Sequence, residues 1–280
     1  MTVGSPSLLA IDDGGYSVNV VYSEHNKVSF PSVKGYVKEE TNLLSVTGDL
    51  DFIVQYEGKR FVAGELGLYD NPLKLQMHTK SKCNLFFDLS VLIAVFKYGR
   101  TVNKVAVSVP IKMYNKDEIE GRKNRLEGSH TLTINDVTKT FYIEEVRVAP
   151  ESAIAFWVNQ DYGKTHYIDL GSRTIGIGTT INENGKYRFI DSESDTLFSV
   201  GLQALGDKFT PKSLADYIGG LTLSYLNPNN KVYFIGGGAN NPELIAGLRE
   251  YYPNGVVMQQ PEFANAIGMY RLMKGVYGVD

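Results

Sequence analysis

The feature that most constrains the fold of this chain is a pattern that occurs twice. Each copy is an apolar strand that ends in aspartate, then a glycine-containing turn, then a second apolar strand. The copies cover Leu8–Ser23 and Thr165–Ile181. β-branched and apolar residues fill the predicted strands, and glycine marks the turns. Two hairpin-led α/β halves predict an internally duplicated, two-domain fold.

The aspartate at the end of each first strand is a candidate functional group. Asp12 and Asp13 precede two glycines in the first copy, and Asp169 precedes Gly171 in the second. Glycine lets the backbone approach a ligand closely, and the N–H groups of such a turn can point at one anion. A carboxylate beside the turn therefore predicts a phosphate-and-metal corner. The alternative is that each aspartate only closes a hairpin turn.

A third glycine-rich segment follows the predicted strand Lys231–Ile235. Gly236–Gly238 would let a nucleotide lie directly against the backbone, where any Cβ would collide. The helix predicted from Pro242 would add a favourable dipole if its N-terminus points at the ligand. Ligands in such folds bind at strand ends, in the cleft between halves. The three turns together predict a phosphate-binding cleft between the two domains.

Composition excludes some classes of protein. The chain has 280 residues, a net charge of −3 and one cysteine, Cys83. Its longest apolar run, Leu89–Phe96, is shorter than the roughly 20 residues that cross a bilayer. Met1–Ser7 has no secretory pattern, and one cysteine permits no internal disulfide, so we expect a cytoplasmic protein. The acidic balance argues against direct, non-specific nucleic-acid binding.

Several helices are predicted from apolar spacing and end signals. Gly99 ends a helix whose apolar residues recur at helical spacing, and Pro150 begins another with Glu151 in its first turn. The predicted helices include Asn84–Tyr98, Lys116–Leu126, Leu197–Phe209, Pro211–Leu226 and Pro242–Tyr251.

Five segments, in order along nearly the whole chain, resemble the motifs of the actin–Hsp70–sugar-kinase superfamily. They resemble its first phosphate motif, first connecting region, second phosphate motif, adenosine motif and second connecting helix. The segments are Leu8–Ser17, Val105–Tyr114 with Val148–Trp157, Tyr167–Thr174, Val232–Asn241 and Pro261–Leu272. The resemblance implies an α/β, duplicated actin-like (ribonuclease H-like) fold with a nucleotide cleft between its domains.

Within the superfamily the chain is most similar to the bacterial plasmid-segregation actins of the ParM and AlfA types. The interval from Asp169 to Gly236 leaves no room for the extra small subdomain of the second domain, as in AlfA-like proteins. The implied domains are 1–149 with 262–280, including a small inserted subdomain around 30–98, and 150–261. Asn19 stands where actins have a phosphate-binding lysine, so the group that replaces this lysine is left open.

The resemblance also implies roles for individual residues. Asp12 and Asp169 would face Mg²⁺, which a protein usually holds through one or two carboxylates and several waters. Glu151 and Asp169 would orient and polarise the attacking water as catalytic residues, because phosphoryl transfer depends on positioning and charge stabilisation. The alternative for Glu151 is a favourable charge at a helix N-terminus.

The predicted nucleotide-binding residues lie in the three glycine turns. Two of them keep alternatives: Asp13 would cap its turn instead, and Arg173 would be solvated. The predicted set is Asp12, Asp13, Gly14, Gly15, Tyr16, Gly171, Ser172, Arg173, Thr174, Gly236, Gly237, Gly238 and Ala239.

The implied function is an ATPase that polymerises into filaments and segregates low-copy plasmids, with ATP (GTP as the alternative) and Mg²⁺ as cofactors. Its implied partners are further copies of itself in a helical filament and a small DNA-binding adaptor on a plasmid centromere site, with no direct contact to nucleic acid or membrane. The alternatives are a small-molecule kinase of the same superfamily, and a phage or chromosomal filament protein with little turnover.

Overall fold

The computed structural model of the chain describes residues 5–37, 46–69, 81–206 and 209–278. The chain divides into two compact units. Unit 1 comprises Met1–Val107 and Asn115–Val148, and unit 2 comprises Ser108–Tyr114 and Ala149–Asp280. Each unit is built on its own sheet. None of the helices in the described part of the chain has the length and apolar character needed to span a bilayer.

The described strands of the first sheet number nine. They are β1 (Ser7–Asp13), β2 (Ser17–Val21), β3 (Lys27–Pro31), β4 (Lys34–Tyr36), β5 (Asp51–Tyr56), β6 (Lys59–Gly64), β7 (Val102–Val109), β8 (Gly128–Ile134) and β9 (Val137–Pro150). Their order in the sheet is β3-β2-β1-β7-β9-β8-β5-β6-β4. β1 pairs antiparallel with β2 and parallel with β7, so the first hairpin lies beside a parallel strand.

The described helices that accompany this sheet are α1 (Leu66–Tyr69), α2 (Leu85–Tyr98) and α3 (Lys116–Leu126). α2 begins after Asn84, whose side chain accepts hydrogen bonds from two backbone N–H groups of its first turn. Leu89, Leu92 and Ile93 of α2 are buried in one core cluster with residues of the strands. The predictions Asn84–Tyr98 and Lys116–Leu126 are confirmed, because caps and apolar spacing are local signals.

The described strands of the second sheet number six. They are β10 (Gly163–Leu170), β11 (Thr174–Glu183), β12 (Lys186–Phe189), β13 (Asp195–Phe198), β14 (Lys231–Ile235) and β15 (Gly255–Val257). Five of them follow the order β12-β11-β10-β14-β15, and β13 pairs with β11. β10 pairs antiparallel with β11 and parallel with β14. The order β12-β11-β10-β14 therefore repeats the order β3-β2-β1-β7 of unit 1, which confirms the predicted duplication.

The helices of unit 2 are α4 (Phe156–Asn159), α5 (Pro211–Thr222), α6 (Pro242–Tyr251) and α7 (Ala264–Tyr277). A capping box at Thr210 and Ser213 begins α5, and the Asn241 side chain caps α6. α5 and α6 pack together, and their apolar residues share a core cluster with β10, β11 and β14. α7 packs on α4 and on the 3₁₀ turn Ala153–Ala155.

Two predicted helices are wrong. Leu197–Phe209 is not a helix: its start belongs to β13, and the described residues that follow form turns that hydrogen-bond to the Ser172 region. Backbone pairing with β11 outweighs local helical propensity there. Pro150 does not begin a helix either; it ends β9, and Glu151 lies in a tight turn before the 3₁₀ residues Ala153–Ala155.

The domain boundaries stay predictions. The sequence assigns residues 262–280 to the first domain, whereas the contacts of α7 place this helix in unit 2. Of the small subdomain predicted around 30–98, residues 38–45 and 70–80 lie outside the described residues.

Candidate functional site

The two predicted phosphate turns have the same local geometry in their separate units. Asp12 pairs across the hairpin with Asn19, and Asp169 pairs with Gly176. Both carboxylates lie at the end of a central strand that has a parallel neighbour, and both side chains are largely buried, with exposures of 8% and 9%. Asp12 and Asp169 are therefore structurally equivalent, as the sequence predicts.

The glycine after each carboxylate makes its turn tight. A Cβ at Gly14 would lie 2.9 Å from the Ser17 carbonyl oxygen, and a Cβ at Gly171 would lie 2.7 Å from that of Thr174. Gly171 N–H also donates to the Thr174 carbonyl at 3.1 Å. Since a larger residue would push each turn open, both positions favour glycine on steric grounds.

Asp13 points into unit 1. Its carboxylate is fully buried, with Lys82 Nζ at 3.1 Å and Arg122 Nη2 at 2.6 Å. Arg122 also donates to Asp88 at 3.2 Å. The aspartate therefore anchors the end of β1 to the start of α2 and to α3. These ion pairs favour the structural alternative for Asp13 over contact with a nucleotide.

The rest of the first turn is accessible. Gly15 is partly exposed, and the Tyr16 side chain is 63% exposed. The Tyr16 carbonyl accepts a hydrogen bond from Ser32 N–H at 2.8 Å, which ties the turn to the end of β3. Asn19 is buried, and its Oδ1 accepts from Ser29 Oγ of the neighbouring strand β3 at 2.8 Å.

Unit 2 brings together two of the predicted catalytic regions through a residue that is not among the predicted site residues. Asn265, in the first turn of α7, donates from Nδ2 to Asp169 Oδ2 at 2.8 Å. Its Oδ1 accepts from Ser152 N–H at 2.9 Å. Ser152 directly follows Glu151, so the turn that carries Glu151 and the carboxylate of Asp169 share one bridging side chain.

The Glu151 turn has an unusual backbone. Ser152 has φ 63° and ψ −60°, and Ala153 N–H donates to the Glu151 carbonyl at 2.6 Å, which defines a γ-turn. The Glu151 N–H donates to Val109 O at 2.8 Å, so β7 holds the other side of the turn. Positive φ at a residue with a side chain is costly and is found mainly where surrounding contacts enforce it. The turn is therefore held by its partners and not by local preference.

Gly236 lies directly against Asp169. A Cβ at this position would be 2.3 Å from Asp169 Oδ1, and the residue adopts φ 78° and ψ 169°, a region populated almost only by glycine. Gly236 N–H donates to Pro261 O at 2.8 Å. The predicted adenosine turn thus borders the predicted metal-facing carboxylate within the same unit.

The next residues of this turn form a 3₁₀ segment. Gly237 has open space where a Cβ would be, whereas a Cβ at Gly238 would lie 2.8 Å from the Leu170 carbonyl oxygen and 2.7 Å from Leu202 Cδ1. Ala239 is buried in the core of unit 2. Of these positions, Gly237 is the one whose surroundings leave room for a ligand.

A segment that the sequence analysis predicts as helix instead covers the second phosphate turn. Gly201 N–H donates to the Arg173 carbonyl at 3.1 Å, and Gln203 N–H donates to the Ser172 carbonyl at 2.8 Å. A Cβ at Gly201 would lie 2.2 Å from Arg173 N, so this contact needs glycine. Burial lowers the pKa of the Arg173 guanidinium, which is consistent with a partly enclosed side chain.

The donor set of unit 2 fits a nucleotide with Mg²⁺. A side chain at Gly236 would collide with the Asp169 carboxylate, whereas the space beside Gly237 is open. The described residues contain no group of three or more histidine, cysteine or acidic side chains in metal-binding proximity. Mg²⁺ takes few protein ligands and completes its shell with water and phosphate oxygens, so a single carboxylate such as Asp169 is compatible with it.

His166 has a structural environment. Its Nδ1 lies 2.8 Å from Thr179 Oγ1, which itself donates to the Glu193 carbonyl, so Nδ1 carries the proton. Asn230 Nδ2 lies 3.1 Å from Nε2, as a donor to the neutral ring. Burial lowers the pKa of His166 to about 4. The ring is therefore a buried, neutral side chain of β10 near pH 7.

Comparison with known proteins places the chain in a family. A family model described as "Actin like proteins N terminal domain" matches residues 10–153. No curated protein matches the chain.

Solved structures with a similar fold are numerous, and three show the range. A 15-stranded ParM filament from Clostridium botulinum has 19% identity and a TM-score of 0.79, over 96% of this chain and 99% of that chain. An AlfA filament bound to AMPPNP has 18% identity and a TM-score of 0.75, over 98% of each chain. An archaeal actin homologue in complex with ADP has 17% identity and a TM-score of 0.74, over 96% and 99%. The predicted fold class is confirmed.

Proposed function

Because the chain belongs to the family of actin-like proteins, we propose that it is an ATPase that assembles into filaments and segregates low-copy plasmids. The observation that carries the proposal is the contact between Gly236 and Asp169, with the Glu151 turn joined to the same carboxylate through Asn265. The backbone is open at the next residue, Gly237, which supports a ligand site beside Asp169 and the Glu151 turn.

The proposed roles follow from these positions. Asp169 in unit 2 and its equivalent Asp12 in unit 1 would hold Mg²⁺ through water. When bound, Mg²⁺ supplies neutralising charge to the phosphate oxygens. Glu151 would orient the attacking water, with Asp169 assisting, and the turns at Gly14 and Gly171 would offer backbone N–H groups to the phosphates. ATP is the proposed nucleotide, with GTP as the alternative.

Self-assembly is supported by the similar structures. Relatives in fold have been solved as a 15-stranded ParM filament and as an AlfA filament bound to AMPPNP. Head-to-tail contacts that do not close into a ring generate such filaments. We propose that this chain polymerises with copies of itself, and that a small DNA-binding adaptor connects the filament to the plasmid. The net charge of −3 supports an indirect route to DNA. The single cysteine supports a cytoplasmic location.

The first experiment measures phosphate release and pelletable polymer together, with ATP or GTP and Mg²⁺. Wild-type protein is expected to release phosphate and to sediment only with nucleotide. Asp169→Ala and Glu151→Gln are expected to lower the hydrolysis rate about 100-fold or more, because each removes a group that positions or stabilises the reacting atoms. A wild-type hydrolysis rate in the Glu151 variant would refute its assigned role.

Glu183→Gln is the matched control, since Glu183 lies at the exposed end of β11. It is expected to hydrolyse ATP and polymerise as the wild type does.

The filament proposal fails if the wild-type protein forms no polymer with either nucleotide. This test uses nucleotide concentrations up to about 100 times the nucleotide Kd, at which binding is near saturation. The plasmid role is tested separately: deletion of the gene from a low-copy plasmid should raise the rate of plasmid loss.

A further inference from the structure

We propose that Asn265 is a positioning residue that sets the geometry of Glu151 and Asp169 together. The inference rests on the proposed function and assigns to α7 a role in the chemistry that its sequence does not reveal. Asn265 would touch neither nucleotide nor water. It would act through the two groups that do.

The hydrogen bonds of Asn265 fix the orientation of its amide. Ser152 N–H is able only to donate, and an ionised Asp169 is able only to accept. Oδ1 must therefore face Ser152, at 2.9 Å, and Nδ2 must face Asp169, at 2.8 Å. The side chain is 6% exposed, so both bonds form away from bulk water. Such bonds are costly to remove because the buried partners are left unsatisfied.

The turn that Asn265 holds has little support of its own. Ser152 is fully buried in a left-handed conformation, with φ 63°. Its Oγ receives no hydrogen bond from any described part of the chain. The hydroxyl occupies space that exists only because residue 176 is glycine, where a Cβ would lie 2.2 Å from it. Strain of this kind persists when neighbouring contacts over-determine it, and the bond to Asn265 is one of those contacts.

The helix that carries Asn265 packs closely against the same turn. Gly268 lies one turn further along α7, and a Cβ there would be 2.2 Å from the Ile154 carbonyl oxygen. Residues three apart share a helix face, so Asn265 and Gly268 both face the segment after Glu151. Just before α7, the Pro261 carbonyl accepts from Gly236 N–H. The first turn of α7 and the residues just before it therefore contact the Glu151 turn, the Asp169 strand and the Gly236 turn.

A shift of Asn265 would displace both proposed catalytic residues at once. A move of Ser152 would also move the adjacent Glu151 backbone, and a move of the Asn265 amide would shift the Asp169 carboxylate to which it is hydrogen-bonded. Phosphoryl transfer depends on the placement of the reacting groups, and a misplacement of about 1 Å reduces the reaction rate strongly. Residues that orient groups at a reactive site typically contribute 10- to 100-fold in activity.

Two substitutions separate the two hydrogen bonds. Asn265→Asp keeps an acceptor for Ser152 N–H but replaces the donor to Asp169 by a second carboxylate. Asn265→Ala removes both hydrogen bonds. Asn182→Ala is the matched control, since its amide donates to the Gln160 carbonyl at an exposed site in the same unit.

The first readout is amide hydrogen exchange of the peptide that contains Ser152, measured without nucleotide. Asn265→Ala should accelerate exchange of the Ser152 amide about tenfold or more, as expected when a buried hydrogen bond is lost. Asn265→Asp should leave it within about threefold of wild type. A pair swap adds a second nucleotide-free readout. Asp169→Asn combined with Asn265→Asp restores a donor–acceptor pair, so the Tm lost in Asn265→Asp alone should be recovered.

The second readout is steady-state ATP hydrolysis. Asn265→Asp and Asn265→Ala should lower kcat about 10- to 100-fold. KM should change less than kcat, and Asn182→Ala should match the wild type. Unchanged kcat in both Asn265 variants of an active enzyme would overturn the inference, and so would unchanged Ser152 exchange in Asn265→Ala. A wild-type protein without hydrolysis would instead refute the proposed ATPase, while exchange and the pair swap would still decide whether Asn265 holds the turn and the carboxylate.

Discussion

Asp13→Ala is the substitution that most sharply separates a structural role from a nucleotide-binding role at the first turn. The Asp13 carboxylate lies between Lys82 and Arg122, at 3.1 and 2.6 Å, and neither it nor the Arg122 side chain has exposed area. Its removal leaves a guanidinium in the core of unit 1 with one counter-charge fewer. We therefore expect Asp13→Ala to lower the stability of unit 1 without removing a group that contacts a nucleotide.

The magnitude follows from what Arg122 keeps. Breaking a buried ion pair by removing one partner costs about 3–5 kcal/mol, because the other charge stays desolvated. Full burial means that water does not screen the loss. Arg122 retains Asp88 at 3.2 Å and the Lys82 carbonyl at 3.0 Å. These contacts limit the loss at Arg122, but Lys82 also loses the carboxylate at 3.1 Å, so we expect a loss of about 3–5 kcal/mol in the free energy of unfolding of unit 1.

Urea unfolding followed by hydrogen exchange measures this effect, since exchange assigns the change to α2 and α3 within a two-unit chain. Asp117→Ala is the control: Asp117 is an exposed residue in the first turn of α3, where a helix-end charge is worth about 0.3–1 kcal/mol. Asp13→Ala with Arg122→Met should recover part of the loss, because an apolar side chain needs no counter-charge. A loss below about 1 kcal/mol, together with a large loss of ATP affinity, would refute the reasoning and make Asp13 a ligand group.

Two further predictions concern unit 2. His166 has a pKa of about 4 in the folded chain against 6.5 unfolded, so the unfolded state binds the extra proton. This residue therefore does not affect stability above pH 6.5, and the free energy of unfolding falls as the pH drops from 6.5 to 4, by at most about 3 kcal/mol. The urea midpoint should decrease with falling pH in the wild type and decrease less in His166→Asn. An equal decrease in both proteins would contradict the assignment. Gly236→Ala places a Cβ 2.3 Å from Asp169 Oδ1 at φ 78°, so we expect a loss of at least about 1 kcal/mol in the free energy of unfolding and weaker nucleotide binding, measured by titration with a fluorescent ATP analogue. Gly237→Ala has open space at its Cβ and should unfold as the wild type does. Equal stability of the two variants would contradict the close contact.

The fold was predictable where the signals are local. Asn84 caps α2 and Asn241 caps α6, and both helices begin where the sequence predicts. The segment from Leu197 was not predictable in this way, because its first residues pair with β11 and the next ones bond to the Ser172 turn. Both interactions are with residues distant in sequence, and a periodic apolar pattern carries no record of them.

The candidate site divides in the same manner. The positions of Asp12 and Asp169 were predictable, since an apolar strand, a carboxylate and a glycine turn specify a hairpin end by themselves. The bridging role of Asn265 was not, although the segment that contains it resembles a family motif. Its signal is a lone asparagine near a predicted helix start, which reads equally well as a cap.

The sequence by itself determined the duplicated hairpins, because alternation, β-branching and turn glycines act over a few residues. It also determined which carboxylates end the central strands. Only the tertiary structure decided that Asp13 pairs with Arg122 in the core of unit 1, and that Asn265 joins Ser152 to Asp169. These outcomes depend on which buried charges and amides find partners across the chain, and that is settled by packing and desolvation, not by local conformational preference.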